Sequence, residues 1–403
     1  MLLSAVSGWS LPSLGRCDPT LRLLLACARP PGAPVPLAEL CRSPVDWPQL
    51  PALAARHGLV PLVSGALAGQ PAVPEPVHRQ LAAGAISGSA RILLLAAHLH
   101  ELLAVLSHAG IAVFVHKGLA IGAMAYGDIL LRHAGDLDLV IRPADLPRAR
   151  LLLENLGYAA KAAAPRPGGY HLGFRRASSG VTVELHWAFT SARWPFPLSQ
   201  ASLWSSLTTV PVAGHPAPCL VPAMAVLALC AHGTKEAWAR LGLLADLAAL
   251  LTRYPDLPWE AILACARRMR REQAVLLGFA LAAVCLGLVL PPELTRRMGQ
   301  FPRLPKLCRQ VIRSYETGQP ISGLSFHCFL WRVMETGHDR RVYWAATGPV
   351  LARKLIDWMR PTEADRPPVR ALRWLPYVQR PVRIVRACGG PWSALRLALR
   401  RLG

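Results

Sequence analysis

The chain has 403 residues, of which 53% are hydrophobic and 17% charged. This length suits two or three domains with cores of their own, and the composition excludes a disordered chain. The net charge of +22, mostly from arginine, favours an anionic partner such as a nucleoside triphosphate, a nucleic acid or an anionic membrane surface. The alternative, given equal weight, is that the arginine-rich and alanine-rich composition of the chain reflects the base content of its genome.

Ten cysteines without a CxxC pair indicate a reducing compartment, and the N-terminal stretch MLLSAVSGWSLPSLGR has no basic segment ahead of an apolar one. We therefore expect a cytoplasmic protein without a secretory signal. Residues 274–290 carry no charge and reach only the short limit for crossing a bilayer. We interpret them as a buried core helix rather than a membrane span, so no transmembrane span is expected.

In chain order, residues 1–76 form a helical N-terminal module rich in leucine, alanine and proline. Apolar residues at helical spacing then predict a long helix over 77–109, and the apolar run 111–115 predicts a buried strand. Lys117 and Gly118 follow this strand and precede another helical segment. A strand that turns through glycine into a helix presents backbone N–H groups, and Lys117 adds a positive charge, so the turn suits an anion.

The next segment, 136–141, combines two carboxylates with the apolar pattern of a strand. Successive side chains of a strand point to opposite faces, so Asp136 and Asp138 share one face. Two like charges so close repel one another unless a cation joins them. The spacing therefore predicts a divalent-metal site.

Downstream, 146–156 has the apolar face of a helix, and the alternating runs 170–175 and 181–187 predict a pair of strands. In the second of these strands Val181, Val183, Leu185 and Trp187 face one way, while Thr182, Glu184 and His186 face the other. Glu184 is then placed to be a third carboxylate beside the acidic pair. The alternative is an exposed strand residue paired with an arginine.

Several motifs together carry a resemblance: KG, a short helix ending in Tyr-Gly, GDLDLV, a helix ending in LGY, VELHW and AHGTKEAWARLGLLADLAALL. They resemble a bacterial group of nucleotidyltransferase proteins in the DNA polymerase β superfamily. The resemblance implies an α+β fold with a small mixed sheet flanked by helices, a helical N-terminal region and a helical C-terminal bundle. The catalytic core would occupy 77–210.

The resemblance also implies that Asp136, Asp138 and Glu184 are catalytic and bind two Mg²⁺ ions. A nucleoside triphosphate, with ATP as the expected donor, would lie against Lys117, Gly118 and Arg132. The superfamily usually has Gly-Ser at this turn, where the present chain has Lys-Gly, and the third carboxylate is here a glutamate. A solvated surface cation is the alternative role for Arg132.

The remainder is predicted to be a helical domain over 211–358 followed by an arginine-rich tail over 359–403. The tail is basic and amphipathic, which favours contact with an anionic surface or partner, although a solvated helix face fits nearly as well. Four polar residues interrupt the apolar helical pattern and line either the acceptor side of the cleft or an internal polar network: His232, Lys235, Arg240 and Asp246.

Two functional hypotheses follow. In the first, the chain is a Mg²⁺-dependent enzyme that moves a nucleotidyl or related phosphoryl group from a nucleoside triphosphate onto a hydroxyl of a small molecule, peptide, RNA or protein. The resemblance implies a tailoring step in a biosynthetic pathway. In the second, the same fold serves as a non-catalytic nucleotide-binding or assembly module. Sequence-independent nucleic-acid binding ranks lower, because the basic segments lack interleaved aromatic residues.

Overall fold

A computed structural model describes residues 17–30, 35–165, 169–188, 190, 194, 196 and 200–359 as a mixed α+β protein. The predicted fold class is confirmed. Contacts between residues divide the chain into two compact units, one ending at Gln319 and the other beginning at Pro320. The arginine-rich tail predicted over 359–403 lies, apart from its first residue, outside the described residues.

The N-terminal helices are short and end at residues that suit helix termini. The Asp18 side chain accepts hydrogen bonds from two backbone N–H groups of the first helix, and Gly58 ends the third with φ +70°. Short helices are stabilised mainly by tertiary packing, and each of these has at least one buried side chain. The helices are α1 (Pro19–Cys27), α2 (Leu37–Cys41), α3 (Leu50–His57) and α4 (Val60–Leu67).

The predicted long helix is present as α5, Glu75–His108. Its buried side chains recur at helical spacing, among them Leu95, Leu99, Leu102 and Leu106. Among the described residues, α5 is also the one helix long and apolar enough to cross a bilayer, judged by length and composition alone, and 39% of its apolar window is buried.

Seven strands form one mixed sheet in the order β3-β4-β5-β2-β1-β7-β6. The pairs β2–β5 and β1–β7 are parallel, and the other neighbours are antiparallel. The strands are β1 (Val113–Val115), β2 (Leu137–Ile141), β3 (Tyr158–Ala160), β4 (His171–Arg176), β5 (Thr182–His186), β6 (Leu207–Val212) and β7 (His215–Leu220). Residue 136, predicted as the first of the acidic strand, immediately precedes β2.

One pair of strands was not predicted. β6 and β7 form a hairpin whose second strand pairs with β1, and the boundary expected between residues 210 and 211 falls inside β6. The expectation that the chain is helical from residue 211 is wrong at this hairpin. Prolines in both strands hide the pattern, since proline cannot donate a hydrogen bond to a ladder and usually argues against a strand.

Helices cover the rest of the first unit. The segment predicted as a helix after Gly118 is α6 (Leu119–Ile121), continued by a π-helical turn, Gly122–Tyr126. The other helices are α7 (Leu146–Asn155), α8 (Gln200–Trp204), α9 (Pro222–Lys235), α10 (Leu241–Arg253), α11 (Trp259–Arg268), α12 (Glu272–Leu286), α13 (Pro292–Met298) and α14 (Leu304–Thr317). Fourteen of the fifteen residues of α12 are buried, which confirms the predicted core helix.

The second unit contains two described helices, α15 (Gly323–Val333) and α16 (Gly337–Met359). They are joined by a hydrogen bond of 2.6 Å between His327 Nδ1 and the Tyr343 hydroxyl. Phe329 and Tyr343 are buried.

Candidate active site

Three carboxylates converge where β2 and β5 run side by side. Asp136 precedes β2, Asp138 lies within it, and the parallel register pairs Asp138 with Glu184 on β5. Neighbours in register have side chains on the same face of the sheet. One carboxylate oxygen from each residue lies within 4.8 Å of the others, so the structure brings together the three side chains that the sequence proposed as metal ligands.

Asp138 is the most buried of the three, with 1% of its surface exposed. Lys117 Nζ lies 2.9 Å from its Oδ2, and His186 Nε2 lies 2.9 Å from its Oδ1. Burial alone would raise the pKa of Asp138, but the hydrogen bonds from His186 and Lys117 outweigh burial and hold that pKa far below its usual range. The carboxylate is therefore ionised at neutral pH.

His186 is a central member of this cluster for which the sequence suggested no role. Its side chain is 4% exposed, and its Nε2 also lies 3.2 Å from Glu184 Oε2. Burial disfavours the imidazolium, yet the hydrogen bonds to Asp138 and Glu184 prevail and raise the pKa of His186. The alternation of VTVELHW already placed His186 on the face of Glu184, which was the available signal.

Asp136 and Glu184 are less buried and respond differently to their surroundings. Burial, and next the charge of Asp138, raises the pKa of Asp136. The hydrogen bond from His186 outweighs burial and lowers the pKa of Glu184. Asp136 is thus the one of the three carboxylates whose surroundings raise its pKa.

The three carboxylates fit a hard divalent cation such as Mg²⁺. Oxygen ligands are what such ions prefer, and the three are close enough to share one or two ions. Each carboxylate oxygen has two lone pairs, so the bonds from Lys117 and His186 leave acceptor capacity on Asp138.

Gly118 forms the turn that faces these carboxylates. Its φ of +63° and ψ of −123° lie where side chains other than hydrogen are strained, and a Cβ there would stand 3.7 Å from the carbonyl oxygen of Asp136. The glycine therefore lets the turn lie against the loop before β2 and hold Lys117 over Asp138.

Arg132, predicted to meet the triphosphate, lines the cleft and shares its charge with Asp246. Its Nε donates a 2.8 Å hydrogen bond to Asp246 Oδ2, and the Tyr126 hydroxyl donates to the other oxygen at 3.1 Å. Both ionic side chains are nearly buried, with 12% and 5% exposure. The alternative of a solvated surface cation does not hold, because this is an internal ion pair between the turn before β2 and α10.

The four residues proposed for the acceptor side separate into three environments. His232 and Arg240 line the same cleft as the carboxylates, whereas Asp246 lines it while bound to Arg132. Lys235 instead donates to the Tyr170 hydroxyl at 3.1 Å and lies 3.4 Å from Glu236. The polar-network interpretation therefore holds for Asp246, while His232 and Arg240 face the cleft.

The cleft has a volume of about 270 Å³. Besides the carboxylates, Lys117 and Gly118, it is bordered by residues of the N-terminal module, which the sequence did not associate with the site: His57, Gly58, Leu59 and Leu62. Burial, and next Lys117, lowers the pKa of His232, and burial followed by Arg132 lowers that of His133. The imidazoles of His232 and His133 are therefore neutral at pH 7.

A family described as "uncharacterised nucleotidyltransferase" matches residues 43–287, which is more than half of the chain. The chain belongs to this family. The matched region contains the three carboxylates, the Gly118 turn and the whole of the cleft described above. The protein is therefore a nucleotidyltransferase, and the predicted resemblance to nucleotidyltransferases is confirmed.

Solved structures to which the chain is similar include ANT(2″)-Ia in complex with adenylyl-2″-tobramycin, at 15% identity and a TM-score of 0.34, covering 43% of this chain and 96% of that one. The lincomycin-bound lincosamide antibiotic adenylyltransferase LnuA is 12% identical, with a TM-score of 0.25 and coverage of 32% and 82%. An antigenic nucleotidyltransferase-like protein from Paracoccidioides brasiliensis is 16% identical, with a TM-score of 0.30 and coverage of 54% and 92%. No curated protein matches the chain.

Proposed function

We propose that this nucleotidyltransferase is Mg²⁺-dependent and transfers the nucleotidyl group of a nucleoside triphosphate, with ATP as the first donor to test, onto a hydroxyl acceptor. The observation that carries the proposal is the convergence of Asp136, Asp138 and Glu184 within 4.8 Å of one another. Family membership supplies the reaction class. A tailoring step in a biosynthetic pathway is the role we propose for it.

The reaction joins the acceptor oxygen to the α-phosphorus and breaks the bond between the α-phosphorus and the oxygen that bridges to the β-phosphorus, which releases pyrophosphate. The hydroxyl proton passes to a carboxylate, and Asp136, whose pKa is raised by burial and by the charge of Asp138, is the acceptor in this proposal. Bound Mg²⁺ would supply positive charge to the phosphate oxygens and lower the pKa of the acceptor hydroxyl.

The side chains around the carboxylates have separate tasks in this proposal. Lys117, 20% exposed beside Asp138, supplies a positive charge at the turn where phosphate oxygens would enter. Arg240 is exposed on the same cleft and supplies a second cation. Arg132 acts indirectly, because its bond to Asp246 fixes the loop that leads into β2.

The Lys117–Asp138 ion pair also favours a second candidate, a nucleotide-binding module without catalysis. A lysine that satisfies Asp138 competes with a metal ion for the same carboxylate. The two candidates differ in whether a bond to the α-phosphorus is ever broken.

The test uses the full chain with each nucleoside triphosphate, labelled at the α- or the γ-phosphorus, with Mg²⁺ and a panel of hydroxyl acceptors. Mg²⁺-dependent binding, measured by equilibrium dialysis, and transfer of the α-label with pyrophosphate release are expected. Both should be lost in the double variant Asp136→Asn, Asp138→Asn. Glu293→Gln, which changes an exposed carboxylate on α13, is the matched control and should behave as wild type.

Three results would count against the proposal. Transfer of the γ-label would show a phosphoryl transferase, and binding without any pyrophosphate release would favour the non-catalytic module. Absence of Mg²⁺-dependent triphosphate binding would remove both candidates.

A further inference from the structure

A second group of metal-ligating side chains shares Glu184 with the carboxylate site. The antiparallel register pairs His171 on β4 with His186 on β5, and Glu184 stands two residues before His186 on the same face. The two rings stack with centroids 5.1 Å apart and planes 29° from parallel. One ligand atom from each of the three side chains lies within 4.8 Å of the others.

The distances between ligand atoms in this group are close to those between neighbouring ligands of a bound metal ion. His186 Nε2 lies 3.2 Å from Glu184 Oε2, and His171 Nε2 lies 3.8 Å from Glu184 Oε1. Zn²⁺ bound at about 2.0–2.2 Å in tetrahedral geometry places its ligands about 3.3–3.5 Å apart. The two separations to Glu184 therefore differ from those of such a shell by only a few tenths of an ångström.

Nε2 of His171 is the imidazole ligand atom of this group that lacks a hydrogen-bond partner within the described part of the chain. Its distance of 3.8 Å from Glu184 Oε1 is too long for a hydrogen bond. Nε2 of His186 bonds Asp138 at 2.9 Å and would exchange that hydrogen bond for the ion. Neutral imidazole is the commonest metal ligand in proteins.

The donor set also differs in chemistry from the neighbouring carboxylates. Two imidazoles with one carboxylate suit borderline ions such as Zn²⁺ and leave a coordination position open, whereas carboxylates alone suit Mg²⁺. Glu184 belongs to both donor sets, and His186 Nε2 lies between them, 2.9 Å from Asp138 Oδ1.

We propose that His171, Glu184 and His186 bind one divalent transition ion of the zinc class, next to the carboxylate site and sharing Glu184 with it. The two ion positions of this protein are then chemically unequal, one of oxygen ligands and one rich in nitrogen. Any part of this ion in group transfer rests on the proposed function, but its binding does not.

The test titrates the metal-free full chain with Co²⁺, whose visible absorption reports nitrogen ligation and low coordination number, and then with Zn²⁺. One equivalent of Co²⁺ should give a visible band that Zn²⁺ abolishes and that a large excess of Mg²⁺ leaves in place. His171→Ala should weaken binding at least tenfold. Since His171 makes no hydrogen bond among the described residues, this variant should fold, as circular dichroism would show.

Two further variants separate the sites. His108→Ala, at an exposed histidine whose Nδ1 bonds the Ala104 carbonyl of its own helix, should bind Co²⁺ as wild type does. Asp136→Asn should also retain the ion, since Asp136 belongs to the other donor set. If Asp136→Asn abolishes Co²⁺ binding and His171→Ala does not weaken it, the proposal is overturned.

X-ray absorption at the zinc edge of the wild-type protein needs no variant. Scattering from two imidazoles supports the site, and a shell of oxygen alone overturns it. Pyrophosphate release with Mg²⁺ in a chain that binds no Zn²⁺ would overturn this inference and leave the proposed function standing. Zn²⁺ binding through both histidines without triphosphate binding would support this inference and overturn the proposed function.

Discussion

Arg132 and Arg240 both line the cleft, but they differ in burial and in whether a carboxylate neutralises the charge. Arg132 shares a nearly buried ion pair with Asp246, whose other oxygen accepts the Tyr126 hydroxyl. Arg240 is exposed and lies among the cleft residues. A buried cation that loses its partner keeps the cost of desolvation, whereas an exposed cation regains water. The two arginines should therefore respond to substitution in different measurements.

We expect Asp246→Asn to lower the free energy of unfolding by about 3 kcal/mol, because it leaves the charge of Arg132 without a counter-ion. Arg240→Gln should change stability by less than about 0.5 kcal/mol and instead raise KM for the triphosphate or the acceptor. Urea unfolding and steady-state kinetics measure the two effects. Equal stability losses in the two variants would contradict the distinction.

Gly118 allows a second prediction at the residue scale. Gly118→Ala should cost about 1–3 kcal/mol of stability and weaken triphosphate binding, because φ +63° strains any residue with a Cβ and Lys117 is attached to the same turn. Gly135→Ala is the matched control on the same cleft, since a Cβ there meets nothing within 4 Å. Urea midpoints and equilibrium dialysis provide the measurements. A Gly118→Ala protein as stable as the Gly135→Ala protein would argue against backbone strain.

At the scale of elements, α9, α10 and α12 pack around one buried tryptophan. Trp238 lies in the connection between α9 and α10, fully buried and with φ +54°, and glycines on two helices adjoin its ring. A Cβ on Gly233 would stand 2.5 Å from the ring, and one on Gly278 would stand 2.8 Å from it. These glycines are therefore packing positions, and the residues that follow Trp238, including Arg240, depend on them.

Gly278→Ala should destabilise the protein by about 1–3 kcal/mol through overpacking against Trp238. Gly65→Ala, also inside a helix but with open space around the added methyl group, should stabilise it by up to about 1 kcal/mol. The two substitutions are chemically identical, so opposite shifts of the urea midpoint would isolate packing from helix propensity. Shifts of the same sign would refute the packing argument.

The same elements show what the sequence could predict. Period-two alternation located β5 and its Glu184 face, and an apolar run located β1 and the core helix α12. The β6–β7 hairpin was not predicted because its prolines interrupt the pattern expected of strands. The local pattern of apolar residues reveals the periodicity of a helix or strand, and this is enough to locate an element that buries one face.

Contacts between residues far apart in sequence could not be predicted from local patterns. Arg132 and Asp246 are separated by 114 positions, and nothing near either one indicates the other. His186 lay on the predicted face of Glu184, but its contact with Asp138 depends on the parallel pairing of β2 with β5. The carboxylate triad was accessible because the family resemblance supplied that pairing.

At the scale of the whole first unit, His57 joins the N-terminal module to the helical region. Its Nδ1 accepts a 3.2 Å hydrogen bond from the Leu241 N–H group at the start of α10, and its ring packs edge-on against Tyr315. Burial, and next the charge of Arg56, lowers the pKa of His57 to about 4. A protonated His57 could not accept this bond and would face the positive end of the α10 dipole.

This geometry predicts how stability depends on pH. Unfolded, His57 titrates near its ordinary value of 6.5, so between pH 6.5 and 4 the unfolded chain binds a proton that the folded chain does not. The contribution of His57 is therefore complete above pH 6.5 and is lost as pH falls toward 4. Between pH 7.5 and pH 5 the loss should be about 2 kcal/mol.

The measurement is urea unfolding of the wild type and His57→Gln at pH 7.5 and pH 5. Glutamine keeps a hydrogen-bond acceptor and does not titrate, so the wild type should lose about 2 kcal/mol more than the variant. Burial also lowers the pKa of His98, His116 and His232, but these titrate equally in both proteins and cancel in the difference. If both proteins lose the same stability, His57 is not held neutral at this junction, and the N-terminal module is attached through other contacts.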